Sequence, residues 1–404
     1  MKTRRQTINP RQHPRHGLLT PVIAIALLVV MAGVALVLDR LWIESAMVEL
    51  TACAEASALA AAGELASDDL LRQESDIELH LKRARKQAYN IAARNLVAGK
   101  PVFLDASSEG DVRFGRIVKN AESGRFRFLE TKNSPLSVLV TAHRTRSRNN
   151  PVALLCRAVT HLPAADAVQR AEASIDNRVL GLRPYSGVRV PALPIAILDA
   201  DPSTDRLDTW NEQIERRAGG DRYAFDPVTG RVSQRSDGIP EIVLTSMKLK
   251  GEASDANVLL ADLGTNLRNA GLTRQIERGW SSSDLSRFGG ALMLDGESPV
   301  LTIGALIARE QVHTMKNMVG RCRICLLYRN HEASGHAGFG SARCVGFIAG
   351  RIMSIRTLEK EACEIVFQPA VVTTRTAVLS ANFPDTNGGN EIRNRYVYKL
   401  HLTN

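Results

Sequence analysis

The chain has 404 residues, 44% of them hydrophobic, 23% charged and only 5% aromatic, with a formal net charge of +10. Those fractions are ordinary for a folded body, and the length calls for two or three folded units. The positive balance does not mean nucleic acid. Half of it comes from five basic residues before Gly17, on the far side of an apolar stretch, and the remaining basic patches lack interleaved aromatics.

The basic tail (1–17) carries Lys2, Arg4, Arg5, Arg11 and Arg15 with no acid, and residues 18–38 follow as 21 uncharged positions. At ~1.5 Å per residue a helix of that length covers the ~30 Å hydrocarbon core of a bilayer. Basic residues are held on the cytoplasmic side, so the expectation is a single transmembrane helix with the tail inside and residues 39–404 across the membrane. A cleaved signal has a shorter apolar region, of ~7–15 residues, and Asp39-Arg40-Leu41-Trp42 reads instead as an interfacial boundary. Leu50-Thr51-Ala52-Cys53 has the form of a lipoprotein cleavage site, but it lies a dozen residues beyond the apolar run. Arg4-Arg5 lacks the apolar residue a twin-arginine signal carries next, with Thr7 in that place.

Residues 39–98 predict a helical stalk. Residues 41–66 are rich in alanine, the best helix former, and hold no proline. Small side chains suit close packing against a partner helix; a solvated stalk is the alternative. Ser67-Asp68-Asp69 reads as a break and a fresh N-cap, and the next helix runs to about Val97. Its apolar stripe is Ile77, Leu81, Ala84, Ala88, Ile91 and Leu96, opposite a basic, wet face with Lys82, Arg83, Arg85, Lys86 and Arg94.

From Val102 the period falls to two, which predicts a small β-rich unit over 99–185. Val112–Ile117 and Arg125–Leu129 alternate around a turn at Glu122-Ser123-Gly124, and Ser137–His143 is a third strand. Val152–Val159 packs back as a helix or a strand. The prolines and glycine of 182–193 mark a boundary. Beyond it, a mostly β C-terminal domain over 195–404 is expected from short apolar runs at 258–263, 291–294, 299–307, 324–328, 344–348, 365–367 and 370–372. Helical insertions are expected at 253–264 and 269–278. The fold class is therefore α+β: one N-terminal transmembrane helix, an alanine-rich helical stalk, then a mostly β exported body.

Cys322-Arg323-Ile324-Cys325 with His331 and His336 has a superficial zinc-like spacing. Yet 324–328 reads as a strand, on which residues three apart point to opposite faces. In an oxidising compartment Cys322, Cys325, Cys344 and Cys363 are a possible disulfide set of open connectivity, or else buried free thiols. The glycine-rich run 335–340 lacks the order and the lysine of a phosphate loop, and Ser281-Ser282-Ser283-Asp284 fits a helix cap. No catalytic constellation, metal site or cofactor site is expected.

Taken together, Gly17, the helix 18–38, Asp39 and the segment Ala54–Gly63 resemble the opening of the TadG-like membrane proteins of Tad/Flp pilus assembly. Asp111–Arg116, Val138–Arg146 and Asn150–Leu155 resemble a later β segment of longer members, and Leu272–Arg287, with Ile276, Gly279, Asp284 and Leu285, is similar to a further element. The chain departs from the pattern at Glu55 and Ser57. It shows no DxSxS metal motif, since Glu109 stands where the second spaced serine of Asp105–Glu109 belongs. Val22 stands where a processed prepilin carries Glu. The resemblance implies a non-catalytic, single-pass protein of the bacterial inner membrane, N-terminus cytoplasmic, body periplasmic or surface-facing. It also implies that the stalk helix meets other pilus-assembly or envelope proteins, with the lipid bilayer as the other partner. An exported enzyme or ligand-binding domain on an anchor is the alternative.

Overall fold

A computed structural model describes residues 19–73, 76–119, 126–201, 205–246, 256–294, 297–304, 307–333, 339–358, 363–380 and 393–403. The basic tail, the turn at Glu122–Gly124 and His336 with most of its glycine-rich run lie outside them.

Helix α1 (Leu19–Leu65) is one unbroken element of 47 residues. Pro21 falls in its first turn, where a missing N–H removes no helical bond. Its first half is apolar and bare: Val22, Leu28 and Val34 are 62, 61 and 53% exposed. This half is long and apolar enough to cross a membrane. The second half is the reverse, with Leu50, Cys53, Ala54, Ser57, Ala58, Ala61 and Ala62 all at 0%. The expected stalk is thus the central core helix of the body. Its alanines do allow close approach, but what approaches is the chain's own second helix and sheet.

Helix α2 (Ile77–Arg94) starts later than the sequence suggests. Asp68–Leu71 forms a single 3₁₀ turn, and the true cap is Asp76, whose carboxylate accepts from the Leu79 N–H at 3.0 Å. Leu81, Ala84, Ala88 and Ala92 form the buried stripe, while Ile77 and Leu96 stay exposed. The stripe is set by the alanine face of α1, which small residues fit best.

Strands β1 (Val112–Lys119), β2 (Phe126–Glu130) and β3 (Ser137–Arg144) follow where the alternation places them. A two-stranded hairpin comes next, β4 (Val152–Ala153) and β5 (Ala164–Ala165), with the one-turn helix α3 (Arg157–Thr160) in its loop. Strand β6 (Ala167–Asp176) then pairs antiparallel with β3, from Ser137↔Ser174 to Arg144↔Ala167. The face that meets α1 carries Val138, Val140, Ala142, Ala171 and Ala173, small or β-branched residues at every second position.

The boundary at 182–193 leads into a second sheet: β7 (Ala192–Leu198), β8 (Ile242–Ser246), β9 (Val258–Ala261), β10 (Val300–Gly304), β11 (Cys322–Ala333), β12 (Phe339–Thr357) and β13 (Cys363–Pro369). Its order is β8-β13-β12-β10-β9-β7-β11, and β11 also pairs with β12. Five strands therefore close on themselves as a small barrel, which leaves those strands no free edge. All of β7 is buried, because its outer face lies under helix α4 (Asn269–Arg278). The other expected helix, over 253–264, begins outside the described residues, and from 256 on it is not a helix: its residues 258–261 are β9. Four apolar residues in a row (Val258–Ala261) suit a strand buried on both faces as well as a helix. Helix α5 (Arg309–Lys316) packs beside α4.

The chain then returns. Strands β14 (Val372–Thr373) and β15 (Val397–Leu402) join the first sheet, giving the order β14-β15-β6-β3-β1-β2. The unit expected at 99–185 thus takes an inner strand from the other end of the chain, and the buried apolar residues form one connected cluster from Ala46 to Tyr398. The fold is α+β, a mostly β body on an apolar N-terminal helix.

If α1 packs through its alanines, Ala58→Leu must force the sheet away and cost about 1–3 kcal/mol. Val48→Ala, at a position 70% exposed, stays within about 0.5 kcal/mol of the parent. Denaturant unfolding in detergent followed by circular dichroism reads both, and equal stabilities would refute the packing.

Candidate functional site

Where the bare half of α1 meets the body, three side chains converge on the β4–β5 hairpin. Asp39 is 4% exposed, although it follows nineteen mostly bare positions, 20–38. Its Oδ1 accepts the backbone N–H of Leu155 and of Cys156, both at 2.9 Å, and Oδ2 takes the Thr160 hydroxyl at 3.4 Å. One turn of helix further on, the Trp42 indole N–H donates to the Ala153 carbonyl at 3.0 Å. The indole is thus a hydrogen-bonded strut between α1 and the hairpin.

Arg144 completes this clasp at the end of β3. It is 1% exposed and donates only to backbone carbonyls: Asn150 at 2.8 Å, Pro151 at 3.1 Å, Lys100 at 3.3 Å, and Val97. Burial lowers its pKa, against the pull of Glu49. A guanidinium offers five donors in a fixed fork, so one side chain pins the α2 exit, the turn at 100 and the start of the hairpin. Asn150 adds a bond from its amide to the Pro101 carbonyl at 3.2 Å. Asp39, Arg144 and Asn150-Pro151 therefore act on the same hairpin. Sequence reading places each residue but cannot pair Asp39 with residues 116 and 117 positions away.

A second junction ties α1 to the barrel. Asp68, just past the helix, accepts the Val371 N–H at 2.7 Å and pairs with Arg351, which stacks 4.1 Å over Phe225. Beside it, Asp69 pairs with Arg72 and Arg83. A hydrogen bond from His80 holds its carboxyl below the usual range, helped by those two arginines and opposed by burial. Next to this cluster is a cavity of about 310 Å³ with a floor of Leu65, Leu81 and Ile175 and a rim that includes His80, Arg116 and Arg395. Arg395 is already paired with Glu215, and Arg116 donates to the Ser134 and Asn133 carbonyls.

The Ser281–Asp284 motif caps no α-helix. Asp284 accepts the Ser281 N–H and hydroxyl at 2.7 and 2.6 Å and pairs with Arg274 of α4, while Asp262 pairs with Arg287. Burial pushes the Asp284 carboxyl up, but the bonds from Arg274 and Ser281 outweigh it and hold the pKa at about 2. Gly279 lets this loop close on β7: at φ +79° it brings Trp280 into paired hydrogen bonds with Val190, and a Cβ would sit 1.9 Å from the Val190 carbonyl oxygen.

The sheet does not bring the four C-terminal cysteines together. Cys322 lies opposite Arg351, Cys325 opposite Ile348, Cys344 opposite Tyr328, and Cys363 opposite Thr357. Cys325 and Cys344 are four positions apart along β12, ~13 Å at strand rise, well beyond the ~7 Å Cα reach of a disulfide. All are free thiols in this structure. Burial pushes Cys322 and Cys344 up to about 12 and Cys363 up to about 11. Cys53, of the lipoprotein-like pattern, is buried mid-helix with its thiol near the Ala92 carbonyl. Asp105 lies in a local turn, accepting the Ser107 N–H at 3.0 Å, and the nearby Asp111 carboxylate is engaged by Arg148 and His143. Among the described residues no three His, Cys, Asp or Glu side chains converge as a metal site.

Comparison with protein-family models, curated proteins and solved structures finds no match for this chain.

Removing the Asp39 carboxylate strands two part-buried N–H groups, at up to about 1–3 kcal/mol each. Asp39→Ala should therefore speed hydrogen exchange at Leu155 and Cys156 by tenfold or more (~1.4 kcal/mol), while the amides of β7 keep their protection. The Asp284 lock makes a separate forecast. Its folded pKa of about 2 lies below the unfolded value of ~3.9, so the stabilisation is full above ~4 and disappears as pH falls toward 2. Asp284→Asn should lower stability by on the order of 2 kcal/mol at pH 6 and converge with the parent near pH 2. A gap that is flat with pH would refute it.

Proposed function

We propose that this chain is a non-catalytic, single-span envelope protein that holds a β-rich body against a bacterial membrane, in a pilus-assembly or adhesion system of the Tad/Flp type. The observation that carries the anchoring part is the division of α1. Its first half exposes apolar side chains on nearly every face, while its second half is the core of the body. A helix bare and apolar all round is stable in lipid or among other helices, not in water. Because the two halves are one rigid element, the body cannot swing freely on the anchor.

This also relocates the expected contact with partner helices. The alanine face is taken up inside the molecule, so assembly with other envelope proteins falls to the bare half or to the outer surfaces of the body. The basic tail supports an inside N-terminus by charge asymmetry. The pilus-assembly part rests on the likeness of residues 17–63, 111–155 and 272–287 to the TadG-like pattern.

The cavity of about 310 Å³ favours a second reading, an anchored ligand-binding body, since it joins an apolar floor to polar groups of both signs, Asp69 among the basic ones.

Two experiments test these proposals. A reporter active only outside the cytoplasm, fused after Asn404, should be active, and activity of a cytoplasmic reporter there would overturn the orientation. Deleting the gene should abolish piliation or adhesion. Intact piliation together with loss of turnover or uptake of a small molecule would favour the second reading.

A further inference from the structure

The β4–β5 hairpin is fastened to α1 at its base by Trp42 and at its tip by Asp39. The face of α1 beneath it is covered below Asp39 as well. Ala35, one turn deeper into the apolar half, is 5% exposed, whereas Val34, Leu36 and Val37 around it are 53, 56 and 59% exposed. Helix α3 packs on α1, and Thr160, its last residue, is the one that reaches the Asp39 carboxylate. The tip therefore runs alongside the end of the apolar half instead of standing away from it.

Its composition suits that place. Leu155, Val159 and Leu162 are 59, 47 and 53% exposed, although each is a large apolar residue on a loop tip. From Leu154 to Ala165 there is no acidic residue, and Arg157 and His161 are exposed between the apolar ones. On the packed elements the charges facing it are Asp39, buried beneath the tip and bonded to it, the Arg40–Glu44 pair of α1, and Asp166 past the strand end, whose carboxylate accepts the Arg146 N–H. A loop tip with three bare apolar residues, two basic ones and no acid has the make-up of a shallow interfacial membrane contact, which buries apolar side chains ~5–10 Å into the headgroup boundary.

We infer that the hairpin tip 154–163 is a second membrane contact, inserting Leu155, Val159 and Leu162 into the interfacial layer of the phospholipid bilayer beside α1. Arg157 and His161 then lie at headgroup level. This rests on the reading of α1 as a membrane anchor, to which it adds an orientation. A single helix fixes height but leaves rotation about its own axis free, and a second contact off the axis selects the side of the body that faces lipid.

The test uses the full chain in vesicles of phosphatidylcholine and phosphatidylglycerol, with Cys156→Ala as background. A polarity-sensitive NBD label at Val159→Cys should be blue-shifted, quenched by doxyl-labelled lipid and shielded from iodide. The same label at Val228→Cys, a turn position 92% exposed, should behave as water-exposed. Adding Leu155→Ser and Leu162→Ser should return the Val159 label toward water. Flotation of the vesicles in a density gradient separates the two ideas. Protein that floats with an iodide-accessible Val159 label overturns the hairpin contact alone, and protein that fails to float overturns the anchor reading with it. A label shielded from both quenchers means that a protein neighbour covers the tip, and this also overturns the inference.

Discussion

The structure depends on close approach between one helix and one sheet. Ala54, Ala58, Ala61 and Ala62 are fully buried on α1, and Ala142, Ala171 and Ala173 come up from β3 and β6 to meet them. Small residues on both sides let backbones approach closely, so the contact gains many weak dispersion terms and little cavity. Alanine also loses no side-chain entropy on burial, which makes a long alanine face a low-cost core for a helix that must stay continuous. Continuity is the consequence that matters. The same 47-residue helix carries the apolar half and fills the body, so whatever surrounds the first half sets the position of the second.

Where the chain turns against that helix, three polar side chains, two of them buried, take most of their hydrogen bonds from backbone. Arg144 donates to four carbonyls, Asp39 accepts two N–H groups, and Asp68 accepts one while pairing with Arg351. A buried charge without partners would be costly, whereas a charge bonded to backbone converts that cost into positional specificity. These residues therefore fix where loops sit on α1 more than they add to stability. The sites are spaced along the helix: Asp39 at the end of the bare half, Arg144 near the α2 exit, Asp68 just beyond the last turn.

Much of this was legible from local pattern, and the failures share a cause. The apolar run, the break after Leu65, strands β1 to β3 and the helix over 269–278 follow from periodicity and capping, which depend on neighbours in sequence. The alanine segment was legible as a helix but not as a core helix. Its burial depends on β3, β6 and β15, and β15 lies more than 300 residues away. Likewise Val258–Ala261 carries no period at all, and only its place between β7 and β10 makes it a strand. Asp39 stood out by position, yet its partners at 155, 156 and 160 could not be named without the fold. The cysteine cluster was conspicuous in sequence, but the registers of β11 and β13 on β12 spread the four thiols along the sheet.

The returning C-terminal segment explains why the body should behave as one unit despite the boundary at 182–193. Strand β15 pairs with β6 through Lys399↔Asp176 to Leu402↔Ala173 and packs on α1. Without it, β6 would be an open edge next to the core, where N–H and C=O groups are left to pair with another chain. The segment just ahead of β15 also meets the barrel side: Tyr396 packs edge-on against Trp210 at 5.4 Å and its hydroxyl donates to Glu215, while Trp210 touches Phe367 of β13. Burial raises the Tyr396 pKa further above the normal range, with the Glu215 charge adding to it, so the phenol stays a donor at any physiological pH. The last strand is thus held by sheet, helix and barrel together. Pulling on the barrel loads β6 and α1 at the same time, and a force applied to the body reaches the apolar half of α1 through the core, along one continuous helix.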